Sequence, residues 1–461
     1  MKQFKLYSRR EFIKKNSVIG MGAVLATGAV QPLIALGSNG VQAPAILGGT
    51  AAWNVTKWPK WPIWDPETDE KLVLEVLRSG VWSRSKMVTQ FEKEWANAVG
   101  AKRSLAVVNG TNALVVATNQ LGIHGGDEVL VPPYTFISTV SSILSNGAMP
   151  VFVDIDPETF QMDPAKIEAK ITNRTKAIMV VHILGLPSDL VSIMEIAKKH
   201  NLIVIEDACQ AHLAEVNNQK VGTFGHAGCF SFQNSKNLPI GEGGAIVSND
   251  EKFMDRCYSY HNLGTPHGTA IGSVSDGSIM QSTKVRMTEY QAAIGIAQLK
   301  RLDSETTTRN LNAEYLKSQI KDIPGILPYR VYESVTRGAF HLFAFRYHKE
   351  HFKGLSRDQF LNALSAEGLP CSSGYTPLNT QPFLHETFKS ANYQKMYPKS
   401  ALDINQYNEN NKCPLNDKLC NEEAVWFTQN VLLGTRDDMK SIANAIEKIA
   451  KNAEQIKKLN P

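Results

Sequence analysis

Between residues 100 and 250 the sequence alternates short apolar runs with stretches that have the periodicity of amphipathic helices. Near-continuous apolar runs are typical of strands buried on both faces, so the alternation predicts an α/β fold with a mainly parallel sheet between helices. Ligands bind at the carboxyl ends of such strands, which directs the search for a functional site to the residues after each run. The runs are residues 128–131, 150–153, 177–181, 202–205 and 229–232.

The pattern changes after Leu299, where helical stretches become longer and apolar runs fewer. Ser356 and Gln359 have the spacing of a capping box that opens a helix ending near Gly368, and residues 435–438 open another. We therefore expect a second, smaller α+β domain at the C-terminus. The expected divisions are a signal segment over 1–43, an N-terminal arm and first helices over 44–99, a large domain over 100–305 and a small domain over 306–461.

Residues 58–64 are rich in tryptophan and proline, which predicts an extended arm. Such an arm could pack across the large domain of its own subunit or onto a partner subunit. The apolar stripe of the last long helix is expected to face the small-domain core; it consists of Met439, Ile442, Ile446 and Ile449.

The first 43 residues have the pattern of an export signal. Arg9 and Arg10 form a twin-arginine pattern, and the apolar run over residues 18–30 is too short to span a bilayer comfortably. Small residues favour cleavage after Ala43. We expect a periplasmic or exported protein that meets the membrane only in transit. A cytoplasmic enzyme with a basic tail and a protein tethered by an uncleaved signal are the alternatives.

Composition excludes disorder and little else, since 43% of the 461 residues are hydrophobic and 20% are charged. The net charge of +5 comes partly from the N-terminus, and no basic stripe indicates a nucleic-acid partner. The six cysteines form no CxxC pair, which argues against a zinc site. Cys209 and Cys229 are expected to be small buried hydrophobes, whereas Cys413 and Cys420 could form a disulfide in an oxidising compartment.

An acid and a lysine near two of the expected strand ends form the pattern of a pyridoxal phosphate (PLP) site. Asp207 follows the run 202–205, and Lys236 comes 29 residues later on a Ser-containing loop before the GEGG sequence of residues 241–244. A desolvated lysine can lose its proton and form a Schiff base with an aldehyde. An acid opposite the pyridine nitrogen keeps the ring an electron sink. Alone, Lys236 would be assigned to a solvated loop and Asp207 to a structural carboxylate at a strand end. Together with Gln210, they indicate PLP bound to Lys236.

A PLP site must also hold a phosphate group. Gly110, Thr111 and Asn112 follow an apolar run and open a helical pattern, whose free amides and dipole suit a phosphate. A simple helix cap is the alternative. Ser231, which precedes the lysine loop, is a further candidate for a phosphate ligand.

Two more side chains are candidates for cofactor contacts. The ring of Phe136 could stack on the pyridine ring, although an ordinary core phenylalanine would have the same local sequence. Arg286 is a candidate for an anion contact, and its alternative role is a surface ion pair with Glu289.

In type and order, these motifs resemble the DegT/StrS-type sugar aminotransferases, which are PLP enzymes of the aspartate-aminotransferase fold, PLP fold type I. The similarity runs from about residue 44 to residue 450. The matching segments are GTNAL at 110–114, GDEV at 126–129, PVFVD at 150–154, EDACQAH at 206–212, SFQNSK at 231–236, GEGG at 241–244, RM at 286–287, QAA at 291–293 and YTPL at 375–378.

The resemblance implies a role for each candidate residue. These roles are the Schiff base for Lys236, the ring nitrogen for Asp207, the ring hydroxyl for Gln210, ring stacking for Phe136, and phosphate binding for Ser231 and the backbone of Thr111 and Asn112. Active sites in this family lie between the subunits of a homodimer, so Lys284 and Arg286 would reach the partner's cofactor. Family members that became dehydratases carry histidine at the lysine position, so Lys236 indicates amino transfer.

The implied reaction moves an amino group from glutamate or glutamine to a keto-sugar or keto-cyclitol. The Cys413–Pro414 pair and residues 425–434 are most similar to the branch of glutamine:scyllo-inosose aminotransferases and aminohydroxybenzoate synthases. Residues 83–86 lack the Gly-Pro often found before Phe91, and this departure and the export signal argue against a nucleotide-sugar acceptor. An exported, non-catalytic sensor that retains the fold and a PLP lyase or dehydratase are the alternative functions.

Overall fold

A computed structural model describes residues 43–53, 58–269 and 277–459. The export signal predicted for the first 43 residues, with both of its arginines, lies outside the described residues except for Ala43. Within the described ranges, no helix combines the length and the apolar character needed to cross a membrane.

The chain folds into alternating helices and strands. The helices are α1 (Pro66–Ser79), α2 (Lys86–Val99), α3 (Gly110–Gln120), α4 (Ile137–Ser145), α5 (Leu190–Lys199), α6 (Glu251–His261), α7 (Glu289–Ile320), α8 (Arg357–Ala366), α9 (Pro382–Lys389), α10 (Ala391–Met396), α11 (Ile404–Asn410), α12 (Pro414–Lys418), α13 (Arg436–Lys451) and α14 (Ala453–Lys457). The strands are β1 (Arg103–Val107), β2 (Glu128–Val131), β3 (Met149–Phe152), β4 (Thr175–Val181), β5 (Ile203–Asp207), β6 (Glu215–Val216), β7 (Gln219–Lys220), β8 (Ala227–Ser231), β9 (Gly244–Ser248), β10 (Ile326–Pro328), β11 (Val335–Arg337), β12 (Leu342–Tyr347), β13 (Cys371–Ser372) and β14 (Ala424–Thr428).

The large sheet has seven strands in the order β1-β9-β8-β5-β4-β2-β3. Strand β9 runs antiparallel to both of its neighbours, and the pairs from β8 through β5, β4 and β2 to β3 are parallel. The five apolar runs in the sequence fall on β2, β3, β4, β5 and β8, within two residues at either end. The prediction of an α/β fold with a mainly parallel sheet is therefore confirmed.

An aromatic cluster fixes the end of β8. Phe230 and Phe232 flank Ser231, and both rings pack edge-on against Trp95 of α2, with ring centroids 5.0 and 5.2 Å apart. All three aromatic residues are fully buried. Because a packed core resists displacement, this cluster holds Ser231 and the start of the following loop in one position.

The C-terminal part contains an antiparallel sheet in the order β10-β12-β14-β13. Both predicted capping boxes are present, at Ser356 before α8 and at Thr435 before α13. The predicted apolar stripe of α13 is buried. Helix α7 continues through residues 305 and 306, and we propose that it connects a large domain over 100–305 with a small domain over 306–461.

The arm over residues 58–64 has no regular secondary structure, as predicted, and it packs on its own subunit. The Trp58 indole donates to the backbone carbonyl of Gly368 at 2.9 Å, and the Asn430 amide donates to the carbonyl of Pro59 at 3.0 Å. The Gln298 and Arg301 side chains of α7 also donate to the carbonyl of Ile63. The arm is thus bonded to the C-terminal part of the chain and to α7.

All six cysteines are free. The Cys413 thiol donates to the Asn411 carbonyl and the Cys420 thiol to the Asn416 side-chain oxygen, so this structure contains no bond between the two. Cys229 is buried as predicted. Cys209 is only partly buried, because it faces a cavity.

Candidate active site

A cavity of about 760 Å³ opens at the carboxyl ends of β5 and β8, the location that the parallel topology predicts. We call the lining residues between 109 and 242 the inner end of the cavity; they include Asp207, Lys236 and the start of α3. We call Trp61 of the arm and the lining residues between 341 and 430 the outer end. The cavity is therefore lined by residues of the large sheet and its loops, of the C-terminal part of the chain and of the arm.

Lys236 lies in a tight loop after β8. Its backbone N–H donates to the Gln233 carbonyl at 2.8 Å, and the Asn234 N–H donates to the Gly241 carbonyl at 2.9 Å. The side-chain amine of Lys236 forms no hydrogen bond or ion pair with any residue in the described ranges. Burial lowers the pKa of this amine, while Cys209 and Asp207 act in the opposite direction. The loop thus presents an amine that loses its proton more readily than a solvated lysine does.

Asp207 is the last residue of β5, and its carboxylate is buried. The Thr139 hydroxyl donates to one carboxylate oxygen at 2.7 Å, and the Cys209 backbone N–H donates to the other at 3.2 Å. The Thr135 hydroxyl lies 2.8 Å from that of Thr139. These contacts orient the carboxylate and leave it lone pairs for a protonated ring nitrogen.

The Gln210 side chain is held by two partners from distant parts of the chain. Its oxygen accepts from the Leu184 N–H at 2.9 Å, and its nitrogen donates to the Tyr375 hydroxyl at 2.7 Å. Burial raises the pKa of Tyr375 to about 12, so its hydroxyl stays protonated at neutral pH. One N–H of the Gln210 amide remains for a cofactor oxygen. The contact with Tyr375 was not predicted; only the motif at 375–378 pointed to this residue.

The first turn of α3 faces the cavity with Gly110 and Thr111. The Asn109 side-chain oxygen accepts from the Asn112 N–H at 2.9 Å, which caps the helix. Since the first N–H groups of a helix have no partner within it, those of Gly110 and Thr111 are left for an anion. This geometry favours Gly110 and Thr111 over the backbone of Asn112 as phosphate contacts.

Gly110 is required by the close approach of α3 to β8. A Cβ atom at this position would lie 2.7 Å from Ser231 Cβ and 2.9 Å from the Cys209 sulfur. We expect Gly110→Ala to push α3 away from β8, to lower stability by about 1–3 kcal/mol and to weaken cofactor binding. Thermal unfolding and PLP titration would measure both effects.

The matched control for this prediction is the double variant Gly110→Ala with Cys209→Ala, which removes one of the two close contacts. It is expected to recover part of the lost stability. An unchanged unfolding midpoint in the single variant would contradict the packing argument.

Phe136 and Ser231 both line the cavity. Phe136 precedes α4 and is 55% exposed, so the alternative of an ordinary core phenylalanine is wrong. Ser231 ends β8, and its hydroxyl accepts from the Gln233 N–H at 3.3 Å. Both positions are compatible with the predicted roles in ring stacking and phosphate binding.

Two buried histidines lie at the site. His212 donates from Nε2 to the Ser231 carbonyl at 2.9 Å, and burial lowers its pKa to about 3, so it stays neutral. His341 lines the cavity, and burial holds its pKa well below the usual value. Neither histidine was predicted as a site residue, although His212 belongs to the motif at 206–212.

Glu206 positions the loop before β8. Its buried carboxylate accepts from the N–H groups of Gly222, Phe224 and Gly225 at 2.6–2.8 Å, and lies 3.1 Å from His182 Nε2. Glu206 and Asp207 are neighbours in β5 but have different roles, because successive residues of a strand point to opposite faces of the sheet.

Arg286 does not line the cavity of its own subunit. Its backbone forms an isolated bridge with Val107. The alternative of an ion pair with Glu289 is wrong, since that carboxylate accepts from the N–H groups of Ser85, Met87 and Val88 at the start of α2. Among the described residues, Lys236 is the one lysine or arginine that lines the cavity.

The residues at the inner end fit PLP. An amine without a partner among the described residues, an oriented acid, an exposed aromatic ring and the first turn of α3 all face one cavity. No group of three or more potential metal ligands occurs within the described ranges. The fold and the site define a PLP-dependent enzyme of the aspartate-aminotransferase fold.

Comparison with known proteins gives the family. The model of the DegT/DnrJ/EryC1/StrS aminotransferase family matches residues 65–425. The chain belongs to this family and is a PLP-dependent aminotransferase. The earlier predictions of family, fold, enzyme class and cofactor are thereby confirmed.

Two curated relatives are bacterial aminotransferases. The L-glutamine:2-deoxy-scyllo-inosose aminotransferase of Streptomyces kanamyceticus is 34% identical over 84% of this chain and 93% of its own length. The L-glutamine:scyllo-inosose aminotransferase of Streptomyces griseus is 31% identical over 89% of this chain and 98% of its own length. The solved structure of 3-amino-5-hydroxybenzoic acid synthase superposes with a TM-score of 0.73 at 28% identity, covering 86% of this chain and 99% of that chain.

Proposed function

We propose that this aminotransferase moves the amino group of L-glutamine to an uncharged ring ketone, with a keto-cyclitol as the acceptor. The observation that carries this proposal is the outer end of the cavity, where no lysine or arginine of the described chain lies. A nucleotide-linked sugar carries phosphate charges that no lysine or arginine of the same subunit would pair at this end. The two relatives are named for glutamine and for scyllo-inosose compounds, which supports the same substrates.

The cavity residues have different roles in the proposed reaction. PLP, when bound, supplies an aldehyde that accepts amines and a ring that withdraws electrons from the carbon losing its proton. Among the described residues Lys236 Nζ has no hydrogen-bond or ion-pair partner, so it is free to take up and return that proton. Asp207, whose carboxylate is oriented by the Thr139 hydroxyl and the Cys209 N–H, would hold the ring nitrogen of PLP. Gly110, Thr111 and Ser231 would bind the phosphate.

The enzyme is proposed to act as a homodimer with shared sites. Lys284 and Arg286 lie outside the cavity of their own subunit, so they are available to the cavity of a second subunit. An arginine there would pair with the carboxylate of the amino donor. Large apolar side chains are exposed at Trp82, Leu263 and Ile279, as expected of a surface that another subunit covers.

Export by the twin-arginine pathway is proposed from the sequence pattern at Arg9 and Arg10. A protein exported by this route folds first, so PLP would be bound before transport. The acceptor would then have to be present outside the cytoplasm, where nucleotide sugars are scarce.

The test of the proposed function separates the two half-reactions. With L-glutamine alone, the PLP-loaded protein is expected to release the keto acid of glutamine in a single stoichiometric step and to change its visible spectrum. Adding scyllo-inosose or 2-deoxy-scyllo-inosose should give continuous turnover, whereas nucleotide-linked keto-sugars should not. Bound PLP without keto-acid release would favour the sensor, and an elimination product would favour a lyase.

A further inference from the structure

The outer end of the cavity is aromatic and uncharged. Its lining includes Trp61, Tyr375, Trp426, Thr428 and Asn430. Tyr375 lies between Tyr134 and Trp426, with ring centroids 5.3 Å from each. Such a surface offers apolar faces and a few hydroxyl and amide groups, which suits a ligand with C–H faces and many hydroxyl groups.

Trp61 is the one lining residue in the described ranges that precedes residue 100. The arm is anchored on both sides of Trp61. The Pro59 carbonyl accepts from the Asn430 side chain. The Ile63 carbonyl accepts from Gln298 at 2.8 Å and from Arg301 at 3.2 Å. The arm is therefore fixed immediately before and after the residue that enters the cavity wall.

A buried arginine lies next to the Trp61 ring. The Arg309 guanidinium lies 5.2 Å from the centre of the ring, and the side chain is completely buried. It donates to the Gln429 side-chain oxygen at 2.9 Å and pairs with Glu305 at 3.2 Å. Arg309 does not line the cavity, whereas Trp61 does.

We propose that Trp61 is a specificity-determining residue, whose indole forms the platform on which an uncharged polyhydroxylated ring acceptor packs. An aromatic face is apolar and carries partial negative charge, so it attracts the C–H face of such a ring and gains little from a phosphate. The proposal rests on the proposed function, since it assigns the acceptor end of the same cavity. It predicts that Trp61 acts on the second half-reaction and leaves the first unchanged.

The test compares Trp61→Ala, Trp61→Phe and Trp64→Ala in the full-length, PLP-loaded protein. Trp64 lies in the same arm but does not line the cavity, and its side chain is 40% exposed, so its loss should have no effect. In Trp61→Ala the KM for scyllo-inosose is expected to rise about tenfold, and Trp61→Phe should recover most of this loss. The single-turnover rate with L-glutamine should match that of the unchanged protein.

A second measurement needs no turnover. Binding of myo-inositol, an unreactive ring polyol, is expected to weaken about tenfold in Trp61→Ala and to stay unchanged in Trp64→Ala. An unchanged acceptor KM or unchanged polyol binding in Trp61→Ala would overturn the proposal, and so would an equal slowing of both half-reactions. Failure of the unchanged protein to release keto acid from glutamine would instead contradict the proposed function.

Discussion

Replacing Lys236 with alanine is expected to lower the rate of amino transfer by about 10³-fold or more, because the variant loses both the covalent attachment and the proton-transfer group. Among the described residues, no other lysine or arginine lines the cavity and could take over this role. The measurement is keto-acid release from L-glutamine with saturating PLP.

The control for this prediction is Lys252→Ala, which removes an exposed lysine of α6 and should retain full activity. Borohydride reduction of the unchanged protein followed by peptide mapping should place the cofactor on Lys236. Normal turnover by Lys236→Ala without added amines, or a label on another lysine, would contradict the assignment.

Replacing Asp207 with asparagine is expected to lower the rate by about 10²-fold while leaving the shape of the site intact. Asparagine has nearly the same volume, but it carries no charge to keep the ring nitrogen protonated. The Thr139 hydroxyl can rotate to accept from the new amide, so the packing around β5 should survive. Single-turnover kinetics at saturating PLP would measure the effect.

Cofactor content has to be measured in the same samples, so that weaker PLP binding is not mistaken for slower chemistry. The matched control is Asp250→Asn at the start of α6, where asparagine caps a helix as well as aspartate does. Full activity of Asp207→Asn with PLP bound would show that this carboxylate is not the partner of the ring nitrogen.

Local patterns predicted the elements that present the site. The apolar runs located five strands of the large sheet, and the position of Asp207 just after one of them placed it in the wall of the cavity. Glycine and asparagine signals likewise located the helix start at Gly110. These predictions succeeded because each depends on residues that are neighbours in sequence.

Contacts between distant segments could not be predicted in this way. The Gln210 amide meets the Tyr375 hydroxyl across 165 positions of sequence, and Arg309 meets Gln429 across 120. No local periodicity predicts such a contact, because it depends on how the large sheet, the C-terminal antiparallel sheet and the arm pack. The different roles of Glu206 and Asp207 could not be predicted for a related reason. Only the structure shows which face of the strand each acid occupies.

The arm that carries Trp61 has a consequence for how such an enzyme can change during evolution. The residues proposed to hold the cofactor lie between residues 109 and 242, while the proposed acceptor end is formed by the arm and by residues 341–430. Mutations that alter the acceptor can therefore accumulate while the enzyme keeps its amino-transfer activity. Laboratory libraries confined to Trp61, Thr428 and Asn430 should sample new ring ketones while keeping the amino-transfer machinery intact.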